Sequence, residues 1–122
     1  MTTSAWNPWD FRDRAEMVRE GRTVTGFKVH AVDGDIGKVD SVTTDPGDSH
    51  LVVDTGHWIF GRKVMLPAGT VERVDWDGEK VHVDRTKDQI RHSPEHPEPD
   101  EGSPRPAYRE RMEFYYRDFY GV

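Results

Sequence analysis

Between residues 23 and 84 the apolar period changes every few residues, and the changes mark short strands. The clearest alternation is Lys80-Val81-His82-Val83-Asp84, which sets both Val on one face of an extended segment. Leu51-Val52-Val53 and Val64-Met65-Leu66 are apolar on both faces, as in strands buried from both sides. Val39 to Val42 and Val71 to Val74 are spaced by three, which breaks a period of two; a bulge or strong coiling restores it. Asp33-Gly34, Asp45-Pro46-Gly47-Asp48 and Asp77-Gly78 punctuate the pattern as turns. The strands expected are about 23–31, 36–44, 50–55, 62–67, 70–76 and 79–84. Six short strands that must hide their edges predict an all-β fold, a small closed barrel.

Helical periods flank this region. Phe11, Ala15 and Val18 recur at i, i+4, i+7 behind Asn7 and Pro8, with Gly21 as a stop, so the spacing predicts an N-terminal helix. Thr86 and Gln89 form a capping-box pattern for a short helix that Pro94 ends. Tyr108, Met112, Tyr115 and Phe119 recur at i, i+4, i+7, i+11, with Phe114, Tyr116 and Tyr120 beside them, a helix with a broad aromatic face. The division is then an N-terminal helical flank over 1–21, a β domain over 22–93, a Pro-rich acidic linker over 94–106 and an aromatic helix over 107–122. The β domain is expected to fold without its flanks.

Composition sharpens this picture. Of 14 Val, 12 lie between Val24 and Val83, while Leu occurs twice in the 122 residues; β-branched residues favour strands and Leu favours helices. Hydrophobic residues make up 34% and charged residues 33%, so the core is small. The formal net charge is −6. Nucleic-acid binders release counterions from phosphates through a basic face, so specific nucleic-acid binding is not expected, and only a local patch built by the fold would provide it. The chain holds no Cys, which excludes thiol catalysis and Cys-ligated zinc or iron–sulfur centres. No apolar run is long enough to span a bilayer and the start lacks a signal-peptide layout, so a cytoplasmic location is expected.

The turn residues lead to a family. Val24-Thr25-Gly26-Phe27-Lys28-Val29-His30 followed by Asp33-Gly34-Asp35-Ile36-Gly37-Lys38-Val39 resembles the opening of PRC-barrel domains. The resemblance continues through Leu51-Val52-Val53-Asp54-Thr55-Gly56, Trp58 to Pro67, Val81 to Asp84 and Thr86 to Ile90, and covers roughly residues 23–97. The tyrosine-rich tail is similar to that of some soluble bacterial members. The family is named for the cytoplasmic domain of the photosynthetic reaction-centre H subunit, and a related barrel lies in a ribosome maturation factor. The resemblance implies a compact six-stranded PRC-type barrel used for protein contacts, with no catalytic residue to carry over.

Candidate chemistry is sparse. The six His, at positions 30, 50, 57, 82, 92 and 96, have no spacing that converges three ligands on a metal; His92 and His96 are four apart, but Pro94 breaks the helix between them. Asp33-Gly34-Asp35 lacks the further ligands of a calcium loop. No Ser sits in a nucleophile elbow, and the Gly34 and Gly37 pair leads into a strand rather than a phosphate-cradling helix. No enzyme activity, metal or cofactor is expected.

Gly34, Gly37, Gly61 and Gly78 read as structural turns or tight corners. Trp58 and Phe60, two apart, share a face of an extended chain. If that face points inward they plug the barrel; if outward they anchor a partner. The tail residues Tyr108, Met112, Tyr115, Tyr116, Phe119 and Tyr120 pack on their own barrel, on a sister subunit or on an unrelated partner. Docking on a second copy, giving a homodimer, is the expectation. The function expected is a non-catalytic protein-interaction or adaptor module. The alternatives are a ribosome- or RNA-linked assembly factor and an accessory subunit of an electron-transfer complex.

Overall fold

Turn chemistry decides where the strands begin. The structure, a computed structural model, describes residues 8–12, 15–56, 63–94 and 106–117. In chain order the elements are β1 (Val18–Arg19), β2 (Arg22–Thr23), β3 (Lys28–Ala31), β4 (Gly34–Thr43), β5 (His50–Asp54), β6 (Lys63–Pro67), a 3-10 turn (Ala68–Thr70), β7 (Val71–Asp75), β8 (Lys80–Val83), α1 (Lys87–Arg91) and α2 (Pro106–Arg117). Val32 and Asp33 form the two-residue link between β3 and β4, where Ala31 pairs with Gly34. The Asp45 carbonyl accepts the Asp48 N–H at 2.9 Å and closes the turn before β5. Thr86 and Gln89 make the reciprocal capping box expected of them at the start of α1.

Six strands form one sheet in the order β6-β5-β4-β3-β8-β7, antiparallel throughout except for the parallel pair β3–β8. The three-residue spacings in the sequence fall on irregular register: the ladder shifts between Val39 and Ser41 and again between Val71 and Arg73. One extra residue at each place bends the strand and keeps its Val side chains on the core side. Val29, Ile36, Val39, Leu51, Val81 and Val83 belong to that core. Leu51, Val52 and Val53, like Val64, Met65 and Leu66, are all buried, as their two-faced apolar runs require.

Three expectations fail here. The sheet is not closed: among the described residues no ladder joins β6 to β7, the two ends of the strand order. The physical reason lies at the corner between them. The Ala68 and Gly69 N–H groups donate to Ser49 and Pro8 carbonyls, and Thr70 Oγ1 donates to the Pro67 carbonyl, so the corner is held by its surroundings and not by pairing across it. The second failure is the N-terminal helix. Ala15 and Met17 are buried while Val18 is 45% exposed, an alternation that belongs to extended chain. Glu20 and Gly21 both take positive φ, 52° and 80°, and link β1 to β2 as a hairpin, so Gly21 is a hairpin residue and not a helix stop. A helix this short is marginal by itself, and setting Trp9, Ala15 and Met17 into the core overrides its period. The long strand expected over 23–31 also breaks, at Gly26 (φ 90°), leaving β2 and β3 as separate pieces.

The helix α2 forms as its period predicts. Its Tyr108, Met112 and Tyr116 enter the same core cluster as Trp9, Met17 and the sheet residues. The four-part division of the chain therefore does not correspond to four separate cores: flank residues and strand residues share one. The linker from 95 to 105 lies outside the described residues.

Candidate interaction surface

The tail helix is fixed to the sheet through one face. Tyr108, Met112 and Tyr116 recur every four residues and point into the core, fully buried. The Tyr115 hydroxyl, half-buried beside them, donates to the Gln89 carbonyl of α1. Burial holds the Tyr116 phenol well above its ordinary range, and burial followed by the charge of Asp88 raises that of Tyr115, so both stay protonated. Tyr115 donates, while the buried Tyr116 hydroxyl makes no hydrogen bond among the described residues.

Charged groups brace the ends of this helix. Arg85, with a side chain only 3% exposed, donates to the Tyr116 carbonyl at 3.2 Å and lies under the Tyr116 ring at 5.5 Å. A guanidinium at the last carbonyls of a helix complements its negative end. Asp84 holds Arg85 in place and also accepts from Arg12 at 2.6 Å, while Arg12 reaches the Gly69 carbonyl at 2.7 Å. Nearer the start of the helix, the Arg109 guanidinium stacks 4.5 Å from the Trp9 ring and donates to the Gly47 carbonyl at 2.7 Å. The Trp9 indole N–H donates to Glu113.

The opposite face of α2 carries Ala107, Glu110, Arg111, Phe114 and Arg117, all exposed. Phe114 is 59% exposed with the Arg117 guanidinium 4.6 Å from its ring. A shallow open depression beside it is lined by Ala107, Arg109, Glu110 and Glu113.

Among the candidate residues, Tyr108, Met112 and Tyr116 are therefore core, Tyr115 is half-buried and hydrogen-bonded, and none of the four is free to anchor a partner. Phe114, read only as a neighbour of the aromatic stripe, is the exposed one. Helical period separated the two faces correctly but not which of them the sheet covers. Trp58, Phe60 and Gly61, with Phe119 and Tyr120, lie outside the described residues. Of the structural glycines, Gly34 and Gly37 stand in β4 at φ 147° and 143°. Gly78 does not supply the positive φ of its turn; Glu79 does, at 55°, while the Gly78 N–H donates to Asp75 Oδ1 at 3.0 Å.

The histidines are dispersed, and among the described residues no group of three or more His, Asp or Glu could hold a metal ion. His50 is buried edge-on to Trp9 at 6.3 Å and donates from Nδ1 to the Asp48 carbonyl at 2.8 Å. Burial pushes its pKa below 6.5. His30 and His82 meet across the parallel pair β3–β8 with rings 5.5 Å apart, and His30 Nδ1 lies 2.8 Å from Asp35 Oδ1. Burial, then the charge of Arg73 and His30, lowers the His82 pKa. Their sequence separation gave no signal for this meeting.

No family model and no curated protein matches the chain. Among solved structures it is similar to a protein from Pseudomonas aeruginosa described as a 16S ribosomal RNA processing protein, RimM, with 23% identity and a TM-score of 0.45. The match covers 53% of this chain and 42% of that one, so this chain spans less than half the length of that protein. No described helix is long and apolar enough to cross a membrane.

Proposed function

We propose that this chain is a non-catalytic protein-interaction module of the PRC-barrel type, acting in the cytoplasm by surface docking. The observation that carries the reading is Phe114, 59% exposed on a helix whose other face is fixed by Met112, Tyr116 and the Arg85 brace. Aromatic and Arg side chains dominate interface hot spots, and Arg117 stands over this ring. A rigid support lowers the ordering cost of docking. The ionisable groups around the helix support a non-catalytic role, because Arg12, Asp84, Arg85 and Arg109 are engaged in bracing it. The family assignment rests on the quoted residues, of which the described ones run from the stretch before β3 through β8 to α1.

A photo-crosslinking residue placed at position 114, with a control at Val32, which is 67% exposed, tests the reading in cells. The expected result is one discrete protein adduct from position 114, weakened by Arg117→Glu and absent from position 32. Equal labelling at both positions, or none at 114, overturns it. A ribosomal protein as the adduct selects the assembly-factor alternative.

A further inference from the structure

The solvent face of the sheet holds a cluster that the chain's −6 charge conceals. Lys28 on β3 stands opposite Lys38 on β4 and, on its other side, opposite Lys80 on β8. Neighbouring strands lie about 4.8 Å apart, so the three lysines span roughly 10 Å in a row across the sheet. One step along the same face, His30 is paired with His82, and His82 with Arg73 on β7. The alternation confirms the side: Val29, Val81 and Val83 are buried, while Lys28, Lys38 and Arg73 are exposed and Lys80, His30 and His82 half-buried.

Like charges directly opposite one another in a sheet are destabilising. Several other cations are matched: Arg12, Arg19, Arg22, Lys63 and Arg85 each meet a carboxylate within 3.4 Å, while Arg111 and Arg117 lie over aromatic rings. Among the described residues Lys28, Lys38, Lys80 and Arg73 make no ion pair. The acids that border the face are engaged otherwise. Asp35 is against His30, Asp54 accepts the Gly56 N–H at 3.0 Å, and Asp75 accepts the Gly78 N–H at 3.0 Å. Asp54 stands opposite Lys38 and Asp75 opposite Lys80, so the row of positive charge is closed at both ends.

We propose that this face binds a compact, multiply charged phosphoryl anion, with Lys28 at its centre, Lys38 and Lys80 on either side, and His82 and Arg73 below. The acidic borders match a short anion and repel the extended backbone of a nucleic acid. Asp35 orients the His30 ring, and the ring stacks on His82, which fixes the lower edge of the site. The present neighbours of His82 are Arg73, His30 and Lys80, opposed by Asp75, and they act with burial to disfavour its protonation. A bound dianion reverses that balance, so binding and His82 protonation strengthen each other by linkage.

The experiment uses the full chain and pyrophosphate at low salt, followed by NMR of the His ring protons. The expected result is saturable shifts at His30 and His82, none at His50, a raised His82 pKa in the complex, and affinity that falls with salt. Lys28→Gln should weaken binding about fivefold, while Arg111→Gln on α2 leaves it unchanged. The unperturbed His50 signal reports that each variant is folded. Absent shifts, or shifts equally strong in Lys28→Gln, overturn the site. Short RNA or poly-glutamate binding at least tenfold more tightly than pyrophosphate overturns the compact-anion assignment.

Discussion

A single hydrogen decides the local geometry at Gly37. Its φ is 143°, and an added Cβ would fall 2.1 Å from the Asp54 carbonyl oxygen, a contact that only movement of the β5 backbone relieves. Gly37→Ala is expected to cost about 2–4 kcal/mol in urea unfolding. Gly26→Ala, at φ 90° with open space around it, should cost only about 1 kcal/mol, and equal losses would refute the close approach as the cause. Glu79 offers the reverse case. It holds φ 55°, where Gly is preferred, and its exposed pair with Arg22 at 3.4 Å contributes little. Glu79→Gly should raise stability by about 0.5–1 kcal/mol, and a lower unfolding midpoint would contradict this. The turn around Asp77-Gly78 was thus legible from the residues, but its left-handed position was not, because the Asp75 side chain captures the Gly78 N–H and shifts the turn by one residue. His50 sets a pH dependence. Its folded pKa lies below the unfolded value of 6.5, so the unfolded chain binds the proton more readily. The stability from neutral His50 is complete above about pH 6.5 and is lost as pH falls toward the folded pKa; His82 acts in the same direction. The thermal midpoint should fall between pH 7.5 and 5.5, and His50→Gln should flatten that fall.

Among elements, α2 and the N-terminal stretch show what period alone decides. The repeat of Tyr108, Met112 and Tyr115 predicted the helix, but the fully buried register is Tyr108, Met112 and Tyr116, which packing on the sheet selects. The weaker repeat of Phe11, Ala15 and Val18 yields to tertiary packing, because a β-hairpin turn at Glu20-Gly21 and burial of Trp9 and Met17 satisfy more of the same residues. The bulges in β4 and β7 were legible as a broken period; the open seam between β6 and β7 was not, since the partners of the Ala68 and Gly69 N–H groups come from distant positions. The two faces of α2 predict opposite outcomes for neighbouring substitutions. Met112→Ala should cost about 2–5 kcal/mol, and Phe114→Ala should stay within about 0.5 kcal/mol in chemical denaturation. Comparable losses would show that the outer face is packed as well. Removing α2 altogether should expose the apolar seat and lower the melting temperature, in place of leaving an intact 22–93 domain.

For the molecule as a whole, a homodimer built on the tail needs an uncovered aromatic face, and one chain by itself covers Tyr108, Met112 and Tyr116 of that face. The large apolar side chains left exposed among the described residues, Val18, Val32 and Phe114, are far apart in sequence and on different elements. Light scattering of the full chain at micromolar concentration should therefore give the monomer mass, and a stable dimer would assign an interface to another surface. The lysine row became visible only in three dimensions, because it depends on which positions the sheet brings side by side, and strand order with a parallel β3–β8 pair is not written in any local spacing. The contact of Arg109 with Trp9 has a further consequence. It joins positions a hundred residues apart, so it forms only when nearly all of the described chain is available. During synthesis, which proceeds from the N-terminus, Trp9 emerges long before α2, and until that helix arrives it can meet His50 and the Ser49 N–H of the sheet side but not Arg109 or Glu113. The entropy of closing so long a loop makes this a late step of folding. A growing chain halted before Pro106 would present a sticky indole to chaperones, and release of the last helix would withdraw it.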